Sequence, residues 1–372
     1  MKLKLPIPWM NACGLMTFAL LALFLSPQTV WSQAPDGWVT PRLPRTDLLL
    51  YRTDQGSIQT ANTPSEWLKR RNEILNSMEA VMGTMPDASR RCDLNPETIE
   101  EVDAGSYIRR LITYQSEPGS RVPAYLCLPK RSLQPGVKAK AALCLHPTDN
   151  LVGHKVALGL GGRPGRQYAH ELAERGWITL APAYPLLANY QPNLRELGYV
   201  SGTMKAVWDN RRGLDLLESL PNVDTTGFAA IGHSLGGHNA IYTAVFDERI
   251  HVIVTSCGFD SFLDYKDGDI RGWTSERYMP KLLDYELEDI PFDFHEMVGS
   301  LAPRSIFICA PKGDDNFKWQ SVARIVKCAQ PVFGLWNKES NLHAVHPDSE
   351  HDFPKAYRMQ AYEFMESKLP AK

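Results

Sequence analysis

From Ala141 onward the chain alternates short runs that are apolar at every position with longer stretches whose apolar residues recur at helical spacing. A strand that is apolar on both faces must be covered on both, and a parallel sheet flanked by helices does this repeatedly. The runs are ALCLH (142–146), WITLAP (177–182), GFAAIGHS (227–234), HVIVTSCG (251–258) and SIFICAP (305–311), with a weaker one from Leu342 to Val345. Helical periodicity falls at Arg166 to Arg175, Gly202 to Leu220, Gly236 to Phe246 and Phe317 to Ala329. The expected fold class is therefore α/β, with a mostly parallel central sheet and helices on both faces. Asp260 to Leu301 breaks the rhythm with aromatics, Asp and Pro, and reads as a small inserted cap (about 260–301) over the carboxyl edge of the sheet.

Upstream, residues 33 to about 63 are polar, proline-containing and without period, as in an extended arm. Thr63 and Glu66 then form a capping box with Pro64 at the first helical position, and Trp67, Ile74, Leu75, Met78, Val81 and Met82 follow at helical spacing. Strands are expected at Thr98 to Val102, Tyr107 to Tyr114 and Val122 to Leu128, with a hairpin through Ser116 to Ser120. This divides the chain into an N-terminal arm and helix (33–105) packing on a main domain (106–372). Residues 1–32 carry Lys2 and Lys4, an apolar run from Gly14 to Leu25 and a small-residue exit at Val30, Trp31, Ser32, the layout of a secretory signal cleaved after Ser32. A run of that length is short of the roughly 20 residues a membrane span needs, so a secreted or periplasmic protein is expected.

Hydrophobic residues make up 44% and charged residues 22%, which excludes a disordered or fibrous chain. Lys and Arg number 40 against 42 Asp and Glu, so no global field favours nucleic acid or an anionic membrane. Cys127, Cys144, Cys257 and Cys309 lie in apolar runs and read as buried thiols; Cys92 and Cys328 are the better placed if any pair forms. No CxxC occurs, and neither a metal site nor a cofactor is expected.

Ile231 to Gly237 reads IGHSLGG, a GxSxG at the junction of an apolar strand and a helix. A nucleophile elbow needs this context: a sharp, strained turn lifts the serine Oγ above the sheet, and glycines let strand and helix pass closely. On these residues the chain resembles the serine hydrolases of the α/β-hydrolase superfamily. It is similar to the branch that contains dienelactone hydrolases, acetyl xylan esterases and prolyl oligopeptidase catalytic domains, over roughly Ala124 to Leu369. The resemblance implies a triad in the order nucleophile, acid, histidine. It puts the nucleophile at Ser234 and the base at His351, in SEHDFP before the final helix. The acid falls after SIFICAP, where the DDNF string favours Asp314 over Asp315, which would start the next helix; Asp260 matches a rarer acid position. The resemblance also implies oxyanion donors at Leu235 and in the loop His146, Pro147, Thr148. That loop departs from the family's HGG pattern, and because Pro147 has no N–H, Thr148 is the second donor. His146, Tyr184, Trp273 and Tyr278 are candidates for the substrate pocket. The function implied is an exported serine esterase with a small-molecule or carbohydrate ester as substrate. A prolyl oligopeptidase-type peptidase and a catalytically silent binding protein are the alternatives.

Overall fold

The computed structural model describes residues 42–369; the predicted secretory signal and the start of the arm lie outside the described residues. The rest of the arm is not structureless. It contains a small antiparallel pair, β1 (Leu50–Arg52) and β2 (Ile58–Thr60), closed by a turn in which Gly56 has φ +81 and Thr53 N donates to Ser57 O. Helix α1 (Pro64–Met82) starts at the Thr63–Glu66 capping box, with both reciprocal hydrogen bonds present. It buries Trp67, Ile74, Leu75, Met78, Val81 and Met82.

The strands that follow are β3 (Glu97–Asp103), β4 (Tyr107–Glu117) and β5 (Ser120–Pro129), an antiparallel meander. Then come β6 (Ala139–Leu145), α2 (Tyr168–Glu174), β7 (Ile178–Pro182), α3 (Gly202–Ser219), β8 (Val223–His233), α4 (Leu235–Phe246) and β9 (Ile250–Ser256). The chain continues through α5 (Phe294–Gly299), β10 (Ser305–Cys309), α6 (Trp319–Gly334), β11 (Leu342–Val345) and α7 (Lys355–Lys368). One sheet of nine strands results, in the order β11-β10-β9-β8-β6-β7-β5-β4-β3, parallel from β7 to β11 and antiparallel from β5 to β3. Because β3 pairs with β4, the sheet runs straight through position 105.

Alternation along the central strands explains why the runs are apolar at every position. Ala141, Leu143, Leu145, Ala230 and Ile253 join one buried cluster with α1, α3, α4, α5 and α6. Their neighbours Ala142, Cys144, Ala229, Ile231 and Val254 join a second cluster, on the side of α2 and α7. Successive side chains point to opposite faces of a strand, so both registers must be apolar when helices cover both sides. Residues 260–301 form short 3₁₀ turns and α5, and Phe262, Trp273, Met279, Phe292 and Phe294 join the same core as α4. All six cysteines among the described residues are free, Cys92 and Cys328 included.

Topology selects where a ligand can sit. Strand β6 lies between β7 and β8, so the connections leaving its end and that of β8 run apart and open a crevice at their carboxyl ends.

Candidate active site

Ser234 is the single residue between β8 and α4, with φ +54 and ψ −122. Such a backbone is costly for any residue bearing a Cβ, about 1–3 kcal/mol, and persists only where the surroundings enforce it. They do: Ser234 N donates to Ser256 O at the end of β9, and His238 N to Ser234 O. Glycine is obligatory on both sides. A Cβ on Gly232 would lie 2.1 Å from Gly236 C, and one on Gly236 would lie 1.8 Å from Leu145 O.

From this turn a chain of hydrogen bonds runs inward. His351 Nε2 lies 3.0 Å from Ser234 Oγ, and His351 Nδ1 lies 2.9 and 3.0 Å from the two oxygens of Asp314. Asp314 Oδ1 also accepts from Asn316 N at 2.8 Å and Phe317 N at 3.1 Å. Burial alone would raise the Asp314 pKa, but the imidazole and the two amides outweigh it and hold the carboxyl below its usual range. Asp315, expected to start the helix, is exposed; α6 begins only at Trp319, because the turn after β10 is used up in presenting Asp314.

The loop that carries His351 is clamped by groups the sequence reading did not single out. Arg166 pairs with Asp352 and donates from Nη2 to His351 O at 3.3 Å. Arg358 donates to Phe353 O at 2.7 Å while paired with Glu171 of α2. Apart from that of Arg358 with Phe353, these contacts join residues 185 to 187 positions apart, so no local pattern announces them.

Among the other histidines, His233 packs its ring 5.0 Å from that of His351 and shares a hydrogen bond with Ser256 Oγ. Burial and the nearby Arg166 charge push its pKa well below the ordinary value. His346 shares a hydrogen bond with Ala310 O, and His343 packs against Phe307 and Phe364. His238 is fully buried, stacked on Trp273, with neither ring nitrogen partnered among the described residues and its pKa pushed by burial down to about 3.

Asp260 makes no contact with His351. Its Oδ2 accepts from Lys318 N just ahead of α6, and its Oδ1 is buried without a partner among the described residues. Burial, helped by Asp264 and Asp293, pushes this carboxyl up to about 7 from 3.8. The folded chain thus holds the proton more tightly than the unfolded one, and stability falls as pH rises between those two values, by about 4 kcal/mol at most. Asp260→Asn, which cannot ionise, is expected to gain on the wild type in Tm as pH rises from 4 to 8. Melting curves across that range check this, and a difference independent of pH would contradict it.

A cavity of about 270 Å³ opens over Ser234, His233 and His351. The loop after β6 contributes Pro147, Thr148, Asp149 and Val156 to its lining, and the segment ahead of α2 contributes Arg163 and Arg166. Leu235 is the first residue of α4, where an amide has no intrahelical acceptor. The four expected pocket residues lie outside this lining. His146 is buried, its Nδ1 sharing a hydrogen bond with Pro147 O and its Nε2 accepting from Tyr184 N, so it braces the loop. Tyr184 is buried and donates to Arg277 O; Trp273 is buried against His238; Tyr278 is half-buried against both His238 and Trp273. Trp273 packs in the core beneath the 260–301 segment, whereas Tyr184 joins Leu187, Ala206 and Leu235 in a separate small cluster, and Tyr278 packs against both with its hydroxyl on Thr148 at the edge of the cavity.

Cys257, Asp314 and His351 offer ligand atoms within 4.8 Å of one another. Both His351 nitrogens are already engaged by Asp314 and Ser234, Cys257 Sγ donates to Asp352 O, and burial pushes its thiol pKa well up. That donor set is built for hydrogen bonding, not for a divalent cation.

The sheet order, the elbow and the crevice define the α/β-hydrolase fold, and solved structures agree. A glucuronoyl esterase from Solibacter usitatus superposes with a TM-score of 0.70 over 88% of this chain and 98% of its own, at 20% identity. An esterase of carbohydrate esterase family 15 from a marine bacterial metagenome, described as promiscuous, gives 0.68 over 89% and 98%, at 16% identity. A glucuronoyl esterase of the same family from Caldicellulosiruptor kristjansonii gives 0.62 over 87% and 90%, at 17% identity. No protein-family model matches the sequence, and no curated protein does.

Proposed function

We propose that this chain is an exported serine ester hydrolase that acts on a carbohydrate or other short-acyl ester through Ser234, His351 and Asp314. The observation that carries the reading is the hydrogen-bonded chain from Ser234 through His351 to Asp314, set on a strained elbow at a cavity. Neutral His351 takes the Ser234 proton at Nε2 as Oγ attacks the ester carbonyl, and Asp314 holds the ring in the tautomer that leaves Nε2 free to accept. The Leu235 amide at the start of α4, with the Thr148 amide, stabilises the oxyanion. The imidazolium returns its proton to the leaving alcohol, and water repeats the cycle on the acyl-enzyme. Three neighbours of the same fold that bear esterase names support the reaction class.

Purified protein assayed side by side on aryl acetates, acetylated sugars and peptide amides is expected to turn over both ester classes and to leave amides nearly untouched, with chelator making no difference. Efficient cleavage after proline in peptides would move the chain to the peptidase class. Loss of activity with chelator would overturn the metal-free mechanism.

A further inference from the structure

The segment that borders the cavity ahead of α2 reads Gly159, Leu160, Gly161, Gly162, Arg163, Pro164, Gly165. All four glycines have left-handed φ, at +71, +127, +77 and +82. Space is tight as well: a Cβ on Gly162 would lie 2.6 Å from Val156 Cγ2, and one on Gly165 would lie 3.3 Å from Arg358 Nη1. Gly165 N is fastened to Gln167 Oε1 at 2.9 Å, and Pro164 fixes its own φ. The backbone on both sides of Arg163 is therefore set by residues chosen for shape, and the side chain they present lines the cavity.

The charges around that cavity are not equally committed. Arg166 is paired with Asp352 and bonded to His351 O. Asp149 Oδ1 accepts from Leu151 N and Val152 N. Arg163 makes no hydrogen bond and no ion pair among the described residues, so its five donors are free. A guanidinium matches a planar carboxylate through two parallel hydrogen bonds. A phosphate, with up to two charges, is disfavoured by Asp149 in the same cavity and by the absence of a second uncommitted cation in its lining.

We propose that the substrate is an ester bearing a second, free carboxylate, and that Arg163 is the specificity residue that pairs with it. The proposal rests on the esterase reading. The carboxylate belongs either to the alcohol half, as in an acetylated uronate sugar, or to the acyl half, as in the monoester of a dicarboxylic acid. The cavity lies just below the roughly 300–1,000 Å³ of pockets for drug-sized ligands, which suits a single small ring or a short acyl chain.

The test compares kcat and KM on two matched pairs: acetylated galacturonate against acetylated xylose oligomers, and mono-4-nitrophenyl succinate against 4-nitrophenyl acetate. The full chain is expected to favour the carboxylated member of one pair, which identifies the half that carries the charge. Arg163→Gln should cut that preference about tenfold, through KM rather than kcat. Arg163→Lys should restore part of it, and high salt should erase it. Equal turnover within both pairs, or a preference that survives in Arg163→Gln, overturns the proposal. A calorimetric titration with galacturonate, with xylose as the neutral control, separates this from failure of the esterase reading. Galacturonate binding that is lost in Arg163→Gln sustains the carboxylate site even if no ester is hydrolysed, and the absence of any binding together with equal turnover rejects it.

Discussion

Ser234→Ala is expected to lower kcat on an aryl acetate by about a million-fold, the loss seen when the serine of a template triad is removed, and to abolish labelling by a fluorophosphonate. The variant is a clean one. Alanine carries the same Cβ into the φ +54 turn, so the backbone strain is unchanged, and only the contact between Oγ and His351 Nε2 is lost. His351 stays in place through Asp314 and through Arg166 at its carbonyl. A melting temperature close to that of the wild type should therefore accompany the loss of activity. Stoichiometric labelling of Ser234→Ala would show that another nucleophile does the work and would remove the basis of the proposed function.

Asp314→Asn is expected to cost about ten thousand-fold in kcat, as for the same exchange in the template triad, while Asp315→Asn costs little. The carboxylate accepts from three donors at once: His351 Nδ1, Asn316 N and Phe317 N. An amide has one acceptor oxygen and must turn its NH₂ toward one side. If the NH₂ meets His351, the ring adopts the tautomer with its proton on Nε2 and cannot take the Ser234 proton. If it meets the two amides, donor faces donor and the turn is destabilised. Because the wild-type carboxyl is held below its unfolded value, the stability it contributes is present above that value and is lost as pH falls through the folded one. Melts at neutral pH must therefore be run beside the kinetics. Asp315 is exposed, and it is its backbone carbonyl, not its side chain, that accepts from Lys266. A folded but crippled Asp315→Asn, with Asp314→Asn active, would reverse the two roles.

The elements most legible in the sequence are those whose signal is local. The capping box at Thr63 and Glu66, the apolar runs and the glycines around Ser234 each encode a constraint within a few residues. Less legible were features that depend on what arrives from elsewhere. The β1–β2 pair has only three residues per strand, too few to show a period. Tyr184 and Trp273 are aromatic residues near the right strand ends, yet which way they point is set by His146, Arg277 and His238. Asp260 sits where an acid is sometimes used, but its partner is the Lys318 amide.

By itself the sequence determined that a sheet covered on both faces would form, because runs apolar in both registers have no other stable surroundings, and that a strained serine turn would end one of its strands. Tertiary structure alone decided how Arg166 clamps the loop of His351 and which charge in the cavity is left uncommitted. The physical reason is one of range. Periodicity, capping and glycine geometry act over a few residues of chain, whereas hydrogen bonds, ion pairs and cavity walls depend on distances that are set only when segments far apart in the chain pack together.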